Sequence, residues 1–257
     1  LPESIPPSIL AKADALVTKT AFLAGLVAPE TAACLSKLLM DSDAHYSSII
    51  DGYQAEPEVL KDACNSANKQ FTLMKVPELR GLLVAALTDY FRLLQTPDGN
   101  VVVARMIAHQ HLAQLGLHPQ LWSLYRGLAR RQDEYHVILD MTGRTVEGQL
   151  AGDVLHSDKA VLSFIDFMLD VCHEEVDYMT TALSRHQLRK SVTHAYRTNA
   201  RLTEAGISPE TMPALLALLI QGALPRTEFV TFTRLPRKET SDQHNRQLKL
   251  GIVVSQQ

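Results

Sequence analysis

Cysteine is scarce in this sequence: Cys34, Cys64 and Cys172 are spread over 257 positions. Their number is odd and their spacing matches neither a disulfide framework nor a zinc site, so they read as buried thiols in a reducing compartment. Long apolar runs are missing too. None reaches ~18 residues, the length that signals a membrane-spanning helix, and no secretory pattern stands at the start. The expectation is a cytoplasmic chain without membrane contact. Charge of one sign is also lacking: the net charge is −3, so any nucleic-acid contact must come from a local basic patch. Glycine and proline number 12 each, and strand-like alternation is scarce, which argues against a sheet-built fold. The chain is 46% hydrophobic and 21% charged, enough for one large domain or a domain with a small appendage. The expected class is mainly α.

Apolar spacing and punctuation place the helices. Pro6-Pro7 opens one over about 8–26, with Leu10, Ala13, Leu16, Val17 and Phe22 as its stripe. Pro29 opens a second, with Cys34, Leu35, Leu38 and Leu39 as its apolar face, and Gly52 ends it. Further helices are expected over 76–94, 101–115, 159–183 and 188–205. Beyond the joint Ala205-Gly206-Ile207-Ser208-Pro209 come helices over 213–221, just after Pro225, and over 238–250. Gly251 stops the last of these, and Ile252-Val253-Val254 reads as a short strand. This order outlines a winged helix-turn-helix over 207–255.

The stretch from Leu93 to Arg105 organises the rest. It reads as a helix, a tight Asp98-Gly99-Asn100 turn, and a second helix. A loop feeding a helix N-terminus is a natural anion site, because free N–H groups and the helix dipole point into it. A plain helix-to-helix turn has the same composition.

The flanks decide between the two. Residues 94–105 resemble the signature H-P-F-x-D-G-N-G-R-x-x-R of Fic proteins, with its centre kept. Residues 46–60 resemble the family's Y-Y-S-N-x-I-E-G segment, where Ser47, Asp51 and Gly52 fit an inhibitory-helix pattern with aspartate in place of glutamate. His118 to Tyr135 is similar to L-W-S-x-x-R-G-L-A-R-x-x-x-x-Y, and 157–179 to the helical stretch that follows it. The resemblance covers roughly 7–255. It implies a Fic helical fold with a C-terminal winged helix, divided as N-terminal helices (1–60), a Fic-like core (61–205) and a winged-helix domain (206–257). Only Gly81 to Leu94 separate the upstream part of the resemblance from the signature, where the family usually has a β-hairpin flap, so the flap is either deleted or lies outside this sequence.

In active Fic proteins a histidine deprotonates a substrate hydroxyl that attacks the α-phosphate of ATP, an acid holds Mg²⁺, and loop amides and two arginines bind phosphates. The resemblance puts the acid at Asp98, the turn at Gly99 and Asn100, and the last arginine at Arg105. The histidine position is Leu94, the second glycine Val101 and the first arginine Val102. Leucine accepts no proton, and loss of a general base costs about 10²–10⁴-fold. The expectation is a pseudoenzyme: ATP and Mg²⁺ are what such a site would take, but ordinary AMP transfer is not expected. His109 and His111 read as a partly exposed helix face, and no cluster has metal-ligand spacing. Asp51 and Arg105 read as an ion pair tying the second helix to the core.

Arg126, Arg130 and Arg131 fit either phosphate binding or a solvated face with partners such as Glu134. Trp122 and Tyr125 read as core. The last helix carries Arg237, Lys238, Arg246 and Lys249, with Arg226 and Arg234 just before it. Basic side chains along one helix suit DNA phosphates, whereas Glu239 and Asp242 weaken the field and suit protein contact. The functions implied are a binding or regulatory module, with a protein target, an antitoxin-like partner or a second copy as partner. The alternatives are an atypical protein adenylyltransferase and a DNA-binding regulator.

Overall fold

The computed structural model describes residues 2, 4–51, 78–95, 101–140, 158–233 and 235–255. The expectations for Gly52, Cys64, Asp98, Gly99, Asn100 and Arg234, and for the side chain of Asp51, lie outside the described residues. Within them the chain is helical: α1 (Pro7–Ala24), α2 (Pro29–Asp51), α3 (Leu79–Gln95), α4 (Val101–Gln114), α5 (Leu124–Arg130), α6 (Gln132–Asp140) and α7 (Asp158–Ala182). There follow α8 (Arg185–Thr198), α9 (Ala200–Glu204), α10 (Met212–Gln221), α11 (Arg226–Phe232) and α12 (Arg237–Lys249). Single 3₁₀ turns lie at Pro119–Leu121 and Pro209–Thr211.

Most of these bounds follow the sequence signals. Pro7 and Pro29 sit in first turns, where a missing N–H costs nothing. Two expectations are corrected. The stretch 188–205 is not one helix. Asn199 leaves α-helical angles and its side chain accepts from the Arg201 amide, so it caps α9. Ile252–Val254 is not a strand. After α12 the chain turns through Gly251 at φ +70°, and the Ile252 amide donates back to Gln247 at 3.0 Å. This closes the helix end. With no strand among the described residues to pair with, the apolar run has no ladder to join.

The chain falls into two compact units, 1–24 with 35–179, and 25–34 with 180–257. The division lies inside α2 and α7, so the second unit begins ahead of residue 206. In the first unit α3 packs on α1 and α4. The buried stripe of α1 is Ile9, Ala13, Leu16, Thr20 and Leu23. Phe22, expected in that stripe, is 60% exposed, because at 3.6 residues per turn it lies one position off the 9–13–16–20–23 row. Cys34 and Leu38 are likewise exposed, and Leu35 and Leu39 carry the half-buried face of α2. Lys12 bridges Asp166 and Asp170 at 2.6 and 2.8 Å, and Lys19 reaches Asp177 at 2.6 Å, lacing α1 to α7. Cys172 is buried, and burial pushes its thiol above the ordinary range.

In the second unit α10 packs on α8 and α11, and α11 on α12. Its joints are polar. Thr211 Oγ1 meets the Tyr196 hydroxyl at 2.8 Å and accepts from Gln247 Nε2 at 2.9 Å. Thr31 donates to the Leu219 carbonyl at 2.9 Å.

Candidate functional site

The motif positions converge where α3 ends and α4 begins. Leu94 is 0% exposed and Val102 is also buried. Arg105, one turn into α4, is 0% exposed, and its Nη2 lies 3.4 Å from Ser47 Oγ on α2. A guanidinium without solvent contact is unusual and needs polar company. Here Ser47 supplies part of it, and the Arg105 charge acts on the Tyr90 phenol. The Tyr90 and Tyr135 hydroxyls meet at 2.6 Å in the core. The Tyr90 phenol is held well above its ordinary pKa, chiefly by burial and then by Tyr135, with the Arg105 charge acting against both. Tyr90 therefore stays neutral at physiological pH.

The residue of α2 that meets Arg105 is Ser47; the ion pair expected from the sequence was with Asp51, whose side chain lies outside the described residues. The end of α2 is also anchored from α6. Gln132 Nε2 donates to the Ile49 and Ile50 carbonyls at 3.2 and 3.3 Å, and His136 Nε2 lies 3.3 Å from the latter. These side chains serve carbonyls that a helix C-terminus leaves without intrahelical partners. His111, expected to be partly exposed, is buried, and His109 is half-buried against Tyr125. Burial lowers the pKa of both. Trp122 and Tyr125 are core residues.

A second polar cluster joins α2, α5 and α7. Ser123 caps α5 by accepting from the Arg126 amide at 2.9 Å and donates its hydroxyl to Asp43. Arg126 bonds Glu175, which is 1% exposed, at 2.6 Å, and its guanidinium stacks 3.6 Å over the Tyr178 ring. Arg130 reaches the other Glu175 oxygen at 3.5 Å. Burial raises Glu175, opposed by Arg126 and Arg130. The Asp43 carboxyl is pushed up to about 6, first by burial and then by the Glu175 charge, with the Ser123 bond opposing. Arg131 pairs with Glu134 and Glu174. All three arginines are therefore engaged by carboxylates. Sequence reasoning placed Arg126 and Glu175 in adjacent motifs but had no signal for Asp43. Its partner is 80 residues away in sequence, and no local spacing encodes that distance.

Along α12, Arg237, Lys238 and Lys249 are exposed. Arg246 is turned back, donating to the Gly206 and Ala205 carbonyls at 2.9 and 3.4 Å. Among the described residues no group of three or more His, Cys, Asp or Glu could hold a metal ion. No protein-family model, curated protein or solved structure matches this chain.

Proposed function

We propose that this chain is a degenerate Fic-type protein that lacks ordinary AMP transfer and works as a binding or regulatory module. The observation that carries the reading is the burial of Arg105 beneath Ser47 of α2. A phosphate reaches that guanidinium only if α2 moves away. Leu94 and Val102, where the family has its base and first arginine, are apolar and buried, so neither supplies a proton acceptor or a clamp. A regulatory role through nucleic acid is a second reading, supported by the exposed Arg237, Lys238 and Lys249 on α12.

Calorimetry with ATP and Mg²⁺ tests the first reading. The expected result is no saturable heat with the wild type or with Ser47→Ala, which removes one contact of α2 with Arg105. Saturable binding to the wild type that Arg105→Met abolishes, with the helical circular dichroism unchanged, would overturn it.

A further inference from the structure

The second unit contains a cleft of about 420 Å³ between α11 and α12. Its floor is Phe229, 3% exposed. Its polar walls are Arg226 and Thr227 from α11, and Arg237, Ser241 and His244 from α12. The last three stand at i, i+4 and i+7, so one face of α12 presents them together. The turn joining the helices is pinned from inside. Thr240, 1% exposed, meets Thr233 Oγ1 at 2.9 Å and donates toward the Leu235 and Pro236 carbonyls at 3.2 Å. That bonding fixes the start of α12, which carries Arg237, against the C-terminal end of α11.

The donors in this cleft outnumber the acceptors. Arg226 Nη2 donates to Ser241 Oγ at 3.2 Å. Neither Arg226 nor Arg237 forms an ion pair among the described residues. His244 stands edge-on to Phe229 with ring centres 5.3 Å apart. Its Nδ1 is buried with no hydrogen-bond partner among the described residues. Burial and then the Arg226 charge lower its pKa. Two guanidinium forks, two hydroxyls and an imidazole nitrogen thus surround one cleft whose lining includes no carboxylate among the described residues. Guanidinium forks match phosphate oxygens two at a time. The cleft is larger than a bare phosphate needs.

We infer that the cleft between α11 and α12 seats the phosphate group of a larger molecule, held by Arg226 and Arg237 with Ser241 and His244 completing the shell. This does not depend on the Fic reading. The floor and the pinned turn keep the donors in place before the ligand arrives, which lowers the ordering cost of binding.

The test is nuclear magnetic resonance of the His244 ring in the full chain, titrated with inorganic phosphate at fixed ionic strength. A saturable shift is expected. Arg226→Ala/Arg237→Ala should weaken the affinity at least about tenfold, since it removes the charge-assisted bonds, while Lys37→Ala, at an exposed position on α2, leaves it unchanged. Both arginines are exposed, so the melting temperature of the double variant should hold. A shift that never saturates, or one that the double variant reproduces, overturns the inference. A short DNA duplex and adenosine monophosphate distinguish the source. Competition by the duplex that weakens steeply with salt assigns the phosphate to a nucleic-acid backbone. Competition by the mononucleotide alone assigns it to a small phosphorylated molecule.

Discussion

Asp43 shows how one side chain ties stability to pH. Its carboxyl titrates near 6 in the fold against an ordinary value of 3.8, so the folded state favours the protonated form. The stability this gives is fully present below the unfolded pKa and is lost as pH rises through 6. An Asn at this position keeps an acceptor for Ser123 and carries no charge beside Glu175. Asp43→Asn is therefore expected to be more stable than the wild type at pH 8 by at most about 3 kcal/mol, with little difference near pH 4. Urea unfolding at the two pH values measures this. Equal stabilities of variant and wild type at pH 8 would remove the buried-charge account. Among the described residues Arg105 and Glu175 are the charged side chains most fully withdrawn from water. Each carries polar neighbours with it, as buried charge requires.

At the scale of elements, α5 and α7 are set by a glycine. A Cβ at Gly127 would stand 2.6 Å from Val171 Cγ1 and 2.8 Å from Glu175 Cγ. Both belong to side chains in the packed interior of α7. Helix propensity alone says that Gly127→Ala stabilises by about 1 kcal/mol. Overpacking costs about 1–3 kcal/mol, and the close approach makes it the larger effect. The variant is expected to be less stable in chemical denaturation; a gain would mean that α5 can draw away from α7 at little cost. Between elements, the same logic holds α2. Its last carbonyls lean on Gln132 and His136, and Ser47 and Asp43 contact α4 and the N-terminus of α5. A helix with exposed Leu38 and Met40 is thus located largely by polar bonds.

The whole molecule consists of two compact units with different interiors. The first has a broad apolar core, from Leu16 and Phe91 to Phe164 and Met168. The second is thinner, and buried Thr211, Thr233, Thr240 and Gln247 stand among its few apolar residues. Unequal cores imply unequal local stability. Glu175→Ala breaks a buried pair in the first unit, a loss of about 3–5 kcal/mol. Hydrogen exchange should then show lost protection across α3, α4 and α5, with the amides of Thr240 to Gln247 in α12 unchanged. Equal loss in both places would mean that the units unfold as one.

The helices were legible because their signals are local. Proline opens α1 and α2, Gly251 closes α12, and an apolar residue every third or fourth position marks the faces between. That Leu94 and Val102 offer no proton acceptor was legible for the same reason, since their side chains are apolar in any fold. The sequence alone therefore determined a mainly α chain. It did not determine which apolar residues stay dry, as Phe22 and Leu38 show, nor that Ile252–Val254 lacks a strand to pair with. Burial of Arg105, the union of Asp43 with Ser123 and Glu175, and the gathering of Arg226, Arg237 and His244 around one cleft were decided by tertiary structure. The physical reason is that burial, desolvation and charge pairing depend on distance in space, and helix periodicity fixes only the direction in which a side chain leaves its own axis.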